Sequence, residues 1–138
     1  MILGRGPARA AAEMGALTLK EAVGLPIESL ETAQFRHGPL ELAGPDLAAI
    51  VIATEPETRE LDLRLAEELV GAGAAALVVV EDGGGPPGAM CLEIGRLDRA
   101  LASAVSIVPA QLLAWKLAVH TGRPPGAYVR ASKVTTRE

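Results

Sequence analysis

Aromatic side chains are almost missing from this chain: one Phe, one Tyr and one Trp make up 2% of 138 residues. With 49% hydrophobic residues in all, any core must be built from Ala, Val, Leu and Ile. Cysteine is down to one, Cys91, which excludes an intrachain disulfide and makes a reducing compartment the expectation. Cys91 lies within "AMCLEI" and reads as buried strand filling. Histidine is scarce too; His37 and His120 stand far apart, so no metal site is expected. No apolar run near the N-terminus is long enough to cross a bilayer, and no signal-peptide pattern appears. A soluble, cytoplasmic chain with no membrane contact is therefore expected. The 13 basic residues form no run and are outnumbered by 17 acidic ones, which argues against nonspecific nucleic-acid binding.

What is present is an alternation of two periods. Apolar runs of strand type occur at "MILG", at Ala48–Thr54, at Ala74–Glu81 and at Ala89–Ile94, with a weaker extended segment at Leu25–Glu31. Helical periods occupy Pro7–Val23, Glu57–Ala72 and Leu97–His120. "ALVVV" is continuously apolar, as a strand covered on both faces should be. The pattern predicts a single α/β domain with a parallel sheet between helical layers, whose ligands sit at the carboxyl ends of the strands. Two glycine-rich stretches invite a phosphate reading. "GGGPPGA" (Gly83–Ala89) precedes a strand, so no helix N-terminus follows to hold an anion, and a surface loop is the simpler reading. Gly4-Arg5-Gly6 follows a strand and precedes a helix, yet the third glycine of a dinucleotide fingerprint is missing; a tight turn accounts for both glycines.

Three residues need more than packing to explain them. In the first helix Ala10, Met14 and Leu17 share one arc, with Ala11 and Thr18 beside it and Glu21 at its centre. Glu21 is either a carboxylate buried near the helix C-terminus, where its pKa rises and it can serve as a proton-transfer base, or a group that turns to water as the helix frays. His37 is followed by Gly38-Pro39, so a turn presents it, either as a solvated side chain or as a proton-transfer group. Lys133 lies in a terminal segment, residues 123–138, that has no helical period and follows a domain spanning residues 1–122. It is either solvated charge or an amine brought to a carbonyl substrate by a tail folding over a site. The last helix carries the stripe Leu101, Val105, Val108, Leu112, Trp115 and Val119, which reads as core, packing on the sheet or on a partner subunit. Pro109 either kinks that helix or sits in the first turn of a new one.

The blocks "LGRG", "GALTLKE", "FRHGPLEL", "VPAQLLAWKLAVHTG" and "SKVTTRE" occur in order along the whole chain. Together they resemble the second sugar isomerase (SIS) domain of the glucosamine-6-phosphate synthase family and of related phosphosugar isomerases and deaminases. That resemblance implies a three-layer α-β-α sandwich around a five-stranded parallel sheet, flavodoxin-like, with an extended C-terminal tail. It implies a reaction that moves a proton between adjacent carbons of a sugar 6-phosphate, with no cofactor. Glu21 then corresponds to the proton-transfer base, His37 to a ring-opening histidine that reaches the neighbouring subunit's site, and Lys133 to the tail lysine at the sugar carbonyl. Gly4, Arg5, Gly6, Thr18 and Lys20 become substrate-binding candidates.

Two departures qualify the resemblance. Thr18 stands where the family often has lysine, and no Ser-x-Ser-Gly phosphate loop of the first SIS domain occurs. The glutamine-hydrolysing domain is also absent from this sequence. The expectation is half of an isomerase or deaminase site, completed by another SIS domain, or a homodimer that holds phosphate on backbone N–H groups near Gly4–Gly6 with Arg5 or Arg9 adding charge. A non-catalytic phosphosugar-sensing or self-associating module is the alternative.

Overall fold

The computed structural model describes residues 1–127 and Arg130. Five strands, β1 (Ile2–Gly4), β2 (Ser29–Glu31), β3 (Ala48–Ile52), β4 (Ala75–Val80) and β5 (Met90–Glu93), form one sheet in the order β2-β1-β3-β4-β5, every pair parallel. The helices are α1 (Ala8–Val23), α2 (Thr32–Phe35), α3 (Arg59–Gly71), α4 (Arg99–Val105) and α5 (Val108–His120), with a 3-10 turn at Pro39–Leu42. The expected α/β sandwich with a five-stranded parallel sheet is therefore what forms.

Strand alternation assigns the two layers. Ile2, Ile50, Ile52 and Val79 pack under α1 and α5, while Leu3, Val51, Val78 and Val80 pack with Phe35 of α2 and with Leu65 and Leu69 of α3. The α1–α5 layer is built on small residues: a Cβ added at Gly15 would lie 2.9 Å from the Ala110 methyl. Ala110, Ala114 and Ala118 on α5 meet Ala8, Ala12 and Ala16 of α1 within one core cluster.

That close approach reverses an expectation. The stripe read as core faces outward: Leu101 is 56% exposed, Leu112 57%, Trp115 52% and Val119 53%. The inner face of α5 is made of alanines instead, because only small side chains let α5 come this near α1. The same holds on α1, where Met14 and Leu17 are exposed and Ala12, Gly15 and Leu19 face the core. Cys91 also departs from the reading as filling: β5 is an edge strand, and Cys91 is exposed. Partial desolvation and the Glu93 charge push its thiol pKa up.

Other boundaries moved little. The weak segment Leu25–Glu31 yields only the three residues of β2. The long last helix breaks at Ser106–Ile107, and Pro109 sits in the first turn of α5, where a missing N–H costs no hydrogen bond. Residues Arg99–His120 are, among the described residues, the one stretch long and apolar enough to cross a membrane by length and composition. In this fold the inner side of that stretch packs on α1 and the sheet.

Candidate functional site

The chain runs from β1 through α1 to β2 on one side, then crosses to β3 on the other side of β1. The carboxyl ends of β1 and β3 therefore flank a topological switch point, where open parallel sheets present a crevice. Gly4 and Gly6 build the β1 side. A Cβ at Gly4 would lie 2.6 Å from the Ala8 carbonyl oxygen, and Gly6 has a φ of +55°, so the tight turn into α1 requires both. Arg5 between them turns inward: its Nε lies 3.3 Å from Asp62 Oδ1 and 3.6 Å from Glu31 Oε1. Asp62 is fully buried in the first turn of α3. Burial raises its pKa above the usual carboxylate value, with the Arg5 charge offsetting part of the rise. Arg9 is likewise engaged, at 2.7 Å from Glu13 one helical turn on. Both cations near the turn are thus already paired.

Glu31 also caps α2, its carboxylate accepting from the Ala33 and Gln34 N–H groups. The chain leaves α2 through Arg36, whose guanidinium grips Glu68 of α3 through two hydrogen bonds of 2.7 and 3.0 Å. His37 follows, exposed, with Gly38 at a φ of 118° turning the backbone away. Its loop belongs to the α3 side of the sheet.

Glu21 belongs to the other side. It is exposed on the last turn of α1, beyond Met14 and Leu17, and α1 does not fray there; Gly24 closes the helix in the left-handed conformation. Thr18, Glu21 and Ala22 line a cavity of about 180 Å³ with Gly126 and Ala127 of the terminal segment. Thr18 Oγ1 donates to the Met14 carbonyl at 2.9 Å, and Lys20 Nζ lies 3.2 Å from Glu28. Glu21 and His37 are therefore not brought together within one chain. Lys133 lies outside the described residues.

A family model for the SIS domain matches residues 1–121. The chain belongs to the SIS domain family. Among curated relatives, a glutamine–fructose-6-phosphate aminotransferase (isomerizing) of Pyrobaculum aerophilum is 29% identical over 138 residues, spanning 99% of this chain and 23% of the relative. One of Legionella pneumophila is 32% identical over 124 residues, 88% of this chain and 20% of the relative. This SIS chain thus spans about a fifth of the length of such relatives. Among solved structures, the C-terminal domain of glucosamine-fructose-6-phosphate aminotransferase from Francisella tularensis superposes with a TM-score of 0.80 at 26% identity, covering 90% of this chain and 36% of that one. Tagatose-6-phosphate ketose/aldose isomerase from Escherichia coli shares the fold, with a TM-score of 0.70 at 24% identity over 94% of this chain and 38% of that one.

Two polar groups of this SIS domain escaped the sequence reading. Asp62 is in phase with the buried Leu65 and Leu69, a carboxylate on an inner face, and that signal was available in "LDLRLAEEL". Glu55 follows β3, is 2% exposed, and accepts from Arg99 Nε of α4 at 2.9 Å. This hydrogen bond, and then the charge of Glu57, push the Arg99 pKa up. The available sign was an acidic residue directly after a buried strand, at the sheet's carboxyl edge. The loop Gly83–Ala89 is held by Arg59, which donates to the Asp82 and Gly84 carbonyls, while the Gly84 N–H donates to Glu93.

Proposed function

We propose that this SIS domain binds a hexose or hexosamine 6-phosphate and supplies half of an aldose–ketose isomerase or deaminase site, the other half coming from a second SIS domain. One observation carries the reading: Glu21 opens into a small cavity at the border of an uncovered apolar face, while His37 lies on the opposite side of the sheet. A site needing both groups must draw them from two units. The face formed by Met14, Leu17, Leu112, Trp115 and Val119 is the surface on which the second unit packs, as exposed contiguous apolar area on a soluble domain marks an interface.

In this reading the Glu21 carboxylate removes a proton from the sugar carbon next to the carbonyl and returns it to the neighbouring carbon, through an enediol. Thr18 and Lys20 flank the bound sugar, His37 of one unit serves ring opening in the other, and Lys133 brings its amine to the carbonyl end. The phosphate is held by the pairing domain rather than by the Gly4–Gly6 turn, because Arg5 and Arg9 are spent on Asp62, Glu31 and Glu13. The single exposed cysteine and the sugar-phosphate substrate class agree with a cytoplasmic protein. Glu21's exposure and the use of the Thr18 hydroxyl by the Met14 carbonyl favour the second reading, a phosphosugar sensor without turnover.

Proton exchange separates the two. The chain is incubated with fructose 6-phosphate in D2O and the C1 protons are followed by NMR, with Glu21→Gln in parallel. Exchange that falls by at least about 100-fold in the variant supports the isomerase half. Saturable binding with no exchange supports the sensor. Equal exchange in both proteins removes Glu21 from the chemistry, and neither binding nor exchange by the chain alone defeats the sensor and makes the phosphate-holding domain the missing component of the isomerase reading.

A further inference from the structure

The crevice at the switch point holds a carboxylate that the proposed reaction does not use. Glu55 is buried beside Gly6, its Cγ and Cδ 3.9 Å from where a Cβ on that residue would stand. Its backbone carbonyl accepts the Thr58 and Arg59 N–H groups that begin α3, so the residue cannot shift without disturbing that start. One carboxylate oxygen, Oε2, is occupied by Arg99, at 2.9 Å from Nε and 2.8 Å from Nη2. The other, Oε1, is buried and has no hydrogen-bond partner among the described residues. A buried carboxylate oxygen left in that state is costly, and such atoms in folded proteins call for a specific explanation.

Charge narrows what can meet this oxygen. Arg99 also pairs with Glu57, Nη1 to Oε1 at 3.2 Å, so two carboxylates share one guanidinium and a single negative charge is left over. An anion is repelled. A neutral hydroxyl would satisfy the oxygen and leave the charge. A divalent metal needs more ligands, and among the described residues no group of three or more His, Cys, Asp or Glu side chains could hold one. A monovalent cation that donates hydrogen bonds meets both requirements. The way in is also present. A groove of about 550 Å³ runs between the first turns of α1 and α4, lined by Pro7, Ala10, Asp98, Ala100, Ser103 and Arg99 itself. Arg99, whose side chain is half exposed, lines that groove and reaches Glu55 from it.

We propose that Glu55, with Arg99 and Glu57, forms a binding site for a primary ammonium group, entered from the α1–α4 groove past the Arg99 side chain. The guest donates N–H hydrogen bonds to Glu55 Oε1 and balances the spare negative charge, while Arg99 remains on Oε2 or swings to Glu57. This chemistry is supplied either by free ammonium ion or by the amino group of an amino sugar.

The test follows backbone amide shifts at Gly6, Glu55 and Arg99 by NMR at neutral pH, with ammonium chloride titrated against potassium chloride of equal concentration. Potassium matches ammonium in charge and roughly in size but donates no hydrogen bond. Glucosamine against glucose forms the second pair. Saturable shifts with ammonium and not potassium support the site, and shifts with glucosamine and not glucose assign it to an amino sugar. Glu55→Gln should abolish the response. Since that change also strips Arg99 of its main partner, the exposed Glu57→Gln provides an independent check: it should weaken binding roughly threefold with folding intact. Glu21→Gln should leave the ammonium response unchanged while stopping sugar proton exchange, so this site and the isomerase reading fail separately. Identical shifts with ammonium and potassium, no saturable shift with any probe, or a full response in Glu55→Gln would overturn the proposal.

Discussion

On one side of the sheet α3 turns Glu60, Arg64, Glu67 and Glu68 to water; on the other, α1 and α5 turn out Met14, Leu17, Leu112, Trp115 and Val119. The interiors differ in the opposite sense. Under α3 lie Leu65, Leu69, Phe35 and three valines, whereas α1 and α5 meet through Ala and Gly. The α3 layer is finished by one chain: large apolar groups inside, charge outside. The α1–α5 layer keeps small residues inside so that two helices can lie close together, and leaves its large apolar groups exposed. Glu21 stands at the border of that exposed face, so the layer with its large apolar groups outside is also the layer that carries the candidate base.

The contrast can be broken most sharply with leucine truncations. Leu65→Ala, at a fully buried position under α3, should cost about 3 kcal/mol of stability, read as a lowered urea midpoint at unchanged slope. A loss below about 1 kcal/mol would mean that the α3 layer is loosely packed. Gly15→Val comes next. Its side chain would enter the space held by the Ala110 methyl and Ile2 Cδ1, at 2.9 and 3.1 Å from the first added carbon, and should cost about 2 kcal/mol through overpacking. A neutral outcome would mean that α1 and α5 can part, and that the alanine-built interior is not what sets their spacing.

How much of this was legible in the sequence depends on which question is asked of it. The strands were legible because "AAIVI" and "AALVVV" are apolar without interruption, as buried parallel strands must be. The direction in which α1 and α5 face was not. Both helices are apolar on two sides, by alanine within and by large side chains without, and a 3.6-residue period finds a stripe but does not say which stripe the sheet takes. Glu21 could be singled out as a carboxylate on an apolar arc, and His37 as an imidazole ahead of a Gly-Pro turn. The pairing of Glu55 with Arg99 could not be read, since it joins residues 44 apart that share no motif and meet only where the fold brings β3 and α4 together. Asp62 was within reach, as its spacing from Leu65 and Leu69 shows.

Asp62 offers a smaller effect that sharpens the α3 side. Burial raises its pKa above 3.8, so the folded chain keeps this proton to a higher pH than the unfolded one does. The stability it contributes is complete below pH 3.8 and is lost as pH rises through the native pKa. Asp62→Asn has no proton to release. The difference in urea midpoint between wild type and variant, followed upward from pH 3.8, should therefore change in the variant's favour and then level off. A difference that stays constant with pH would show Arg5 fully compensating the buried charge.

The smallest expected change in stability belongs to the uncovered face, and it is the one that tests the comparison itself. Leu112→Ala removes the same atoms as Leu65→Ala, yet from a side chain that is 57% exposed, so the folded single chain should lose less than about 0.5 kcal/mol. Association should respond instead. If the α1–α5 face packs against a second SIS unit, Trp115→Lys and Leu112→Ala should shift sedimentation toward the single chain, the first more strongly. It places a charge where the chain's only Trp presents its ring, and aromatic anchors dominate the energy of such interfaces. A charge reversal on α3, Glu67→Lys, should leave sedimentation unchanged. Were Leu112→Ala to destabilise the isolated chain as much as Leu65→Ala does, the two layers would differ in composition only, and Glu21 would lose the argument that a partner completes its site.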